Sequence, residues 1–231
     1  MIFRFRRPGR SRVNLALQGG GAHGAFTWGV LDCLLEAGGI DLDGISGTSA
    51  GAMNAVVLAD GLLRGGPEGA REALAEFWAA VAASAPFHTA VPTLDGAGHV
   101  PSPALQWVMH WSRFFSPYEL NPFDHNPLRE IVTERIDFPR LRATTELKLF
   151  IATTHANSGR LRLFRNWELS PEVVLASACL PNIHHAVEID GEPYWDGGYS
   201  ANPAVFPLVF DCTARDVVLV LLNPFLHRGG T

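Results

Sequence analysis

Cysteines and long apolar runs are scarce in this sequence, and these two scarcities exclude several classes of protein. The three scattered cysteines exclude a disulfide framework and favour a reduced, cytoplasmic setting. No run of about 18 apolar residues is present, so no membrane-spanning helix is predicted. The histidines, cysteines and carboxylates do not share the spacing of a metal site, so no metal is expected.

The charge is distributed unevenly along the chain. Residues 1–12 contain five arginines and no acidic residue, whereas the remainder contains 13 basic and 23 acidic residues. The overall net charge of −5 gives no reason to expect nucleic-acid binding. Two interpretations of this basic arm are left open: a solvated terminus, and a segment that contacts anionic lipid headgroups at a membrane surface. No apolar segment of a signal peptide follows these arginines.

The first sixty residues alternate between strand and helix patterns. Residues 13–17 alternate between apolar and polar side chains and end at a run of glycines, as a strand does when it meets a tight turn. Apolar residues then recur at helical spacing over residues 22–35, a short strand is predicted around residues 42–45, and another helix follows residue 51. This order predicts an α/β fold with a parallel sheet.

The middle of the chain interrupts this pattern. Residues 84–125 contain several prolines and a dense group of aromatic residues, and two interpretations are left open: an apolar wall or lid over a site, and core beneath a long loop. Strands over residues 147–153 and 161–165 flank an Asn-Ser-Gly turn, and Ser170 is predicted to cap a helix. A final buried strand is predicted at residues 217–222.

A Gly-Thr-Ser-Ala-Gly pentapeptide at residues 47–51 places a serine between a predicted strand and a predicted helix. A serine on such a sharp turn needs small neighbours, which Gly47 and Gly51 provide. The helix that follows directs its positive dipole end at Ser49, which suits a developing oxyanion. Ser49 is therefore either a nucleophile or part of a structural turn.

A glycine-rich turn, Gly-Gly-Gly-Ala-His-Gly, occupies residues 19–24 just before the serine motif. Its backbone can present N–H groups to an anion. One interpretation is a dinucleotide fingerprint, with Asp41 or Asp43 as the ribose-binding acid. The other is an oxyanion hole for the serine, because two successive strand-to-helix corners of a parallel sheet open on the same edge.

An Asp-Gly-Gly sequence at residues 196–198 follows an aromatic pair. A carboxylate before two glycines commonly forms only a turn. It gains a second interpretation as the partner of Ser49, because a serine hydroxyl needs a nearby base to take its proton. Gly197 and Gly198 would let that loop approach Ser49 closely.

Together, in this order, the three motifs resemble those of the patatin-like phospholipase family. An Ala-Ser-Ala-Cys-Leu-Pro segment at residues 176–181 is also similar to a turn of that family. The resemblance implies a three-layer α/β/α fold with a mainly parallel central sheet. It divides the chain into a basic arm (residues 1–12), a catalytic domain (13–224) and a C-terminal tail (225–231).

The activity that this resemblance implies is that of a serine acyl-ester hydrolase of the esterase, lipase or phospholipase A type. Ser49 would be the nucleophile, Asp196 the base, and a lipid or small acyl ester the substrate. The backbone of four residues would form the oxyanion hole: Gly19, Gly20, Gly21 and Ala22. Six further residues would support the motifs: His23, Gly24, Gly47, Gly51, Gly197 and Gly198. His23 stands where the family usually has arginine or lysine.

Two other functions compete with this interpretation. The order Ser49, Asp196, His227 is that of a Ser-His-Asp hydrolase of the α/β-hydrolase type. A catalytically silent lipid-binding module would use the basic arm and the aromatic segment. Two interpretations are left open for the pair His184 and His185, next to the turn at Pro181: lining of the pocket, and the favoured one, packing or surface roles.

Overall fold

The structure, a computed structural model, describes residues 10–84, 90–92, 99–101, 126–181 and 184–223. Most of the 84–125 segment, the arginines before residue 10 and His227 therefore lie outside the described residues. The strands within the described residues are β1 (Ser11–Leu17), β2 (Ile40–Thr48), β3 (Ala90–Pro92), β4 (His99–Pro101), β5 (Lys148–His155), β6 (Leu161–Arg165), β7 (Val187–Ile189), β8 (Glu192–Asp196) and β9 (Asp216–Val220).

Seven of these strands form one mixed sheet, and β3 and β4 form a separate antiparallel pair. Hydrogen bonding links the strands in the order β7-β8-β5-β2-β1-β9, with β6 also paired to β5. Strands β9, β1, β2 and β5 are parallel to one another, whereas β6, β7 and β8 are antiparallel additions. The predicted α/β fold with a mainly parallel central sheet is confirmed.

The helices pack against both faces of this sheet. Those within the described residues are α1 (Gly24–Ala37), α2 (Ala50–Ser84), α3 (Pro127–Arg135), α4 (Phe138–Ala143), α5 (Pro171–Ser177) and α6 (Phe206–Asp211). The helix α2 departs from helical geometry at Gly65 and Gly66, immediately before Pro67, a residue that is favoured in the first turn of a new helix. None of the described helices is both long and apolar enough to cross a bilayer.

Alternation along the central strands directs apolar side chains to both faces of the sheet. Leu15 and Ile45 belong to the large core that contains α2, whereas Ala16 and Phe150 pack with Leu208 of α6 on the opposite face. The first turns of α2 are rich in small residues, and every residue from 50 to 61 is buried. The helix that follows Ser49 is therefore held firmly against the sheet.

Two predictions for the later strands need correction. The last strand was predicted to be buried, yet Val218 and Leu219 of β9 are 36% and 44% exposed. Within the described residues β9 pairs only with β1, so it lies at the edge of the sheet. The hairpin of β7 and β8 was missed, although the turn at Asp190 and Gly191, with φ angles of 53° and 81°, carries the Asp-Gly signal of a two-residue hairpin.

Candidate active site

Strand β5 brings the two predicted catalytic residues together. Ala152 of β5 pairs with Thr48 at the end of β2, and Thr153 pairs with Asp196 at the end of β8. Both β5 residues also pair with β6, which therefore occupies the other edge of the strand. Because β2 and β8 meet end to end on one edge of β5, Ser49 and Asp196 face each other across this junction.

Ser49 lies on a sharp turn between β2 and α2. Its φ angle is 55°, a left-handed conformation that costs a residue other than glycine about 1–3 kcal/mol. A Cβ atom on Gly47 would lie 2.5 Å from the carbonyl oxygen of Gly51, and one on Gly51 would lie 2.1 Å from that of Leu17. Both glycines of the pentapeptide are therefore required by close approaches of backbone.

Asp196 is buried and contacts Ser49 directly. Asp196 is only 4% exposed. Its carboxylate accepts hydrogen bonds from the Ser49 hydroxyl and from the N–H of Gly198, the latter at 2.7 Å. Burial raises the pKa of Asp196 above its ordinary value, and the two hydrogen bonds offset this effect only in part. The carboxylate is thus a stronger base than an exposed aspartate.

The glycine-rich turn after β1 lies against the serine turn. A Cβ atom on Gly19 would lie 2.7 Å from the Cβ of Ser49, so this contact requires glycine. The N–H of Gly19 donates to Oδ1 of Asn202 at 2.6 Å. Gly19 was expected from the sequence to contribute to the oxyanion hole, but its N–H already has an acceptor in Asn202.

Residues 20–22, the next part of the turn, have backbone N–H groups that are available as hydrogen-bond donors. In the part of the chain that the structure describes, no acceptor faces the N–H groups of Gly20, Gly21 and Ala22. These residues line the same cavity as Ser49. The ring of exposed His23 is 3.1 Å from the carbonyl oxygen of Gly20, and buried Gly24 packs against Ala50. The turn can therefore bind an anion with its backbone.

A cavity of about 770 Å³ opens beside Ser49 and Asp196. Its walls within the described residues are largely apolar, and they include Met53, Phe77, Trp78, Val81, Leu128 and Leu180. His184 lines it as well, which agrees with the pocket-lining interpretation of this histidine. Such a cavity is suited to an elongated apolar group that ends at Ser49.

A buried asparagine fixes one wall of the cavity. Asn54 accepts a hydrogen bond from the indole N–H of Trp78 at 3.0 Å and donates to the carbonyl oxygens of Gly24 and Ala50. These bonds link the start of α1, the start of α2 and the aromatic wall. The wall therefore has a set position relative to Ser49.

The carboxylates of the dinucleotide interpretation lie far from the glycine-rich turn. Asp41 pairs with Arg12 at the beginning of β1, about 20 Å along the strand from Gly19. Asp43 is buried and receives hydrogen bonds from Arg12 and from the 213–214 loop. Neither acid can bind a ribose next to the turn, so this interpretation has no support in the structure.

Two polar residues of the site were missed in the sequence. The hydroxyl of Ser177 accepts a hydrogen bond from the N–H of Ser49 at 2.9 Å. The side chain of Asn202 accepts from the N–H of Gly19 and donates to the carbonyl oxygen of Gly19. The resemblance covered Ser177 without giving it a role, and no motif distinguished Asn202. Their partners are backbone groups more than a hundred positions away in the sequence, which no local pattern reveals.

Comparison with known proteins identifies the family of this chain. A family model described as patatin-like phospholipase matches residues 15–209, and the chain belongs to that family. Among solved structures, VipD from Legionella pneumophila is similar at 16% identity with a TM-score of 0.40, and the match covers 83% of this chain and 46% of VipD. The chain thus spans about half the length of that protein. No curated protein matches the sequence.

Proposed function

We propose that this protein hydrolyses the acyl esters of lipids, with Ser49 as the nucleophile and Asp196 as the base that activates it. The observation that carries the proposal is the direct hydrogen bond from the Ser49 hydroxyl to the buried carboxylate of Asp196. The backbone donors of the adjacent turn and the apolar cavity supply the other requirements of ester hydrolysis.

In the first half of the reaction, Asp196 takes the Ser49 proton as the serine Oγ attacks the ester carbonyl. The carbonyl oxygen becomes an oxyanion, which the N–H groups of Gly20, Gly21 and Ala22 are placed to bind. When the tetrahedral intermediate collapses, the alcohol leaves with the proton that Asp196 took. The acyl group is left as an ester on Ser49.

In the second half, the same groups act on water. Asp196 takes a proton from a water molecule that attacks the acyl-serine ester, and the backbone donors again bind the oxyanion. Collapse releases the carboxylic acid and returns the proton to the oxygen of Ser49. Each half uses Asp196 first as base and then as acid, so no histidine is required.

Two features make an aspartate suitable for this role. The ordinary aspartate pKa of about 3.9 makes a weak base, and burial raises the pKa of Asp196 toward the working range. The N–H of Gly198 meanwhile holds the carboxylate in place at 2.7 Å. The helix α2 begins at Ala50, so its positive dipole end supports the developing negative charge at Ser49.

The substrate class follows from the cavity and its surroundings. Apolar walls favour an acyl chain, and the activity is that of an esterase, a lipase or a phospholipase A according to the alcohol that leaves. Leu180 and Tyr199 line the cavity and are 42% and 58% exposed. Exposed apolar side chains at the entrance suit peripheral contact with a lipid surface.

The test is an ester profile with four variants. We expect wild type to hydrolyse p-nitrophenyl esters of several chain lengths or a diacyl phospholipid. Ser49→Ala should abolish turnover, and Asp196→Asn, which keeps the side-chain shape, should lower kcat about 10²- to 10⁴-fold. The kcat of His184→Ala and that of His227→Ala should stay within about tenfold of the wild-type value, because neither histidine belongs to the proposed dyad.

Other outcomes would select the competing functions. Full activity of Asp196→Asn, or a loss in His227→Ala equal to that in Ser49→Ala, would contradict the dyad and favour a Ser-His-Asp site. A folded wild type that binds lipid vesicles but hydrolyses none of these esters would indicate a silent lipid-binding module.

A further inference from the structure

One short turn binds the backbone of both proposed catalytic residues. It comprises residues 177–179, at the end of α5. The Oγ of Ser177 accepts the N–H of Ser49 at 2.9 Å, and the carbonyl oxygen of Cys179 accepts the N–H of Asp196 at 2.8 Å. The turn therefore holds the nucleophile and the base from the same side and fixes their separation.

The hydroxyl of Ser177 has its direction set by the sheet. Ser177 is fully buried, and its Oγ donates to the carbonyl oxygen of Ala152 at 2.7 Å. Because a hydroxyl has one proton, its remaining lone pairs face the Ser49 N–H as acceptors. Ala152 is also the residue of β5 that pairs with Thr48, the residue before Ser49. The bond from Ser177 to Ala152 therefore links α5 to the strand pair that carries the serine turn.

The conformation of Ser49 requires such support. A φ angle of 55° is unfavourable for serine and persists only where its surroundings hold it in place. The bond from Ser177 restrains the peptide group at this position. Its loss would leave the N–H of Ser49 without this acceptor and would allow the turn to relax.

We propose that Ser177 is a positioning residue that holds Ser49 in its reactive conformation and at its distance from Asp196. This inference rests on the proposed function. Ser177 does not touch the substrate, and its effect is exerted through Ser49.

The test compares two serines of the same helix. Ser177→Ala removes the hydroxyl that binds Ser49, whereas Ser170→Ala removes the N-terminal cap of α5, whose hydroxyl accepts the N–H of Val173. Ser177→Cys keeps a side chain of similar size but replaces the oxygen with a poor acceptor. For each variant, kcat and KM for a p-nitrophenyl ester are measured alongside the midpoint of thermal unfolding.

We expect Ser177→Ala to lower kcat about 10- to 100-fold with KM nearly unchanged, because a small displacement of a reacting group has an effect of this order. Ser177→Cys should lower kcat in the same way, and Ser170→Ala should keep the kcat of wild type even if its unfolding midpoint falls. If Ser177→Ala does not fold, Ser177→Cys decides the question.

Three results would overturn the inference. The first is a kcat of Ser177→Ala equal to that of wild type. The second is a wild-type kcat in Ser177→Cys, which would show that the side chain only fills space. The third is a loss of kcat in Ser170→Ala equal to that in Ser177→Ala. Turnover by wild type that Ser49→Ala abolishes establishes the proposed function separately. An active wild type with an equally active Ser177→Ala therefore refutes the positioning role alone, whereas an inactive wild type refutes both.

Discussion

Gly197→Ala is predicted to separate the base from the nucleophile without removing either side chain. A Cβ atom at residue 197 would lie 2.3 Å from the carbonyl oxygen of Ala152 and 2.6 Å from its carbonyl carbon. Carbon and oxygen normally approach to about 3.3 Å, so the loop must withdraw by about 1 Å. Because both contacted atoms belong to the β5 backbone, a side-chain rotation cannot relieve the overlap.

The displacement acts directly on Asp196, the preceding residue. It lengthens the hydrogen bond from Ser49 and disturbs the bond from Gly198 that orients the carboxylate. A misplacement of 1 Å can lower a rate about 10²-fold, so we expect kcat to fall by about that factor. KM should change little, because the cavity walls that would bind the acyl chain are untouched.

The assay measures kcat and KM for a p-nitrophenyl ester, with thermal unfolding recorded in parallel. The control is Gly29→Ala on α1, where an added Cβ meets no atom within 4 Å. Its activity should equal that of wild type, and its stability should rise by up to about 1 kcal/mol because alanine favours helix. A kcat for Gly197→Ala within threefold of wild type would refute the reasoning.

Three further predictions concern pH, a buried charge and the glycine-rich turn. The kcat/KM of wild type should fall with decreasing pH as Asp196 becomes protonated. Because burial raises the pKa of Asp196, the midpoint of this pH profile should lie above the ordinary aspartate pKa. A midpoint at or below the ordinary aspartate pKa would contradict this prediction. Burial raises the pKa of Asp43, but bonds from Ala214, Thr213 and Arg12 outweigh it and lower the pKa overall. Asp43→Asn should therefore cost about 2 kcal/mol in urea unfolding at neutral pH, and the difference should shrink below about pH 4, as wild-type Asp43 is protonated. His23→Ala should lower kcat less than about tenfold if backbone groups alone bind the oxyanion; a loss of about 10³-fold would assign that role to the ring.

The early part of the fold could be predicted because its signals are local. Two successive strand-to-helix corners fall within the first sixty residues, and each has glycines where the chain turns sharply. A parallel arrangement then places both corners at the same edge of the sheet. The structure accordingly has Gly19 in contact with Ser49, as the order of the motifs indicated.

The placement of Asp196 depends on pairing that no local pattern reveals. Its strand, β8, meets β5 beyond the end of β2, and this register brings the carboxylate to Ser49. The Asp-Gly turn of the β7–β8 hairpin was visible in the sequence. The strands it joins are only three and five residues long, however, so their alternation is too brief to identify them.

The supporting hydrogen bonds were the least predictable part of the site. Asn202 takes the N–H of Gly19 across 183 positions of sequence, and Ser177 takes that of Ser49 across 128. A single polar residue that binds a distant backbone group has no periodicity and no composition signal. The exposure of β9 was likewise unpredictable, because it depends on what lies beside the strand and not on its own apolar residues.

Covalent labelling with a fluorophosphonate tests the central claim most directly, since it reports on the activated serine independently of the substrate. The Ser49–Asp196 pair predicts one adduct per chain on the peptide that contains Ser49, no adduct in Ser49→Ala, and a labelling rate about 10²-fold lower in Asp196→Asn. His227→Ala should be labelled at the rate of wild type. An adduct on another residue, or a wild-type rate of labelling in Asp196→Asn, would contradict the account.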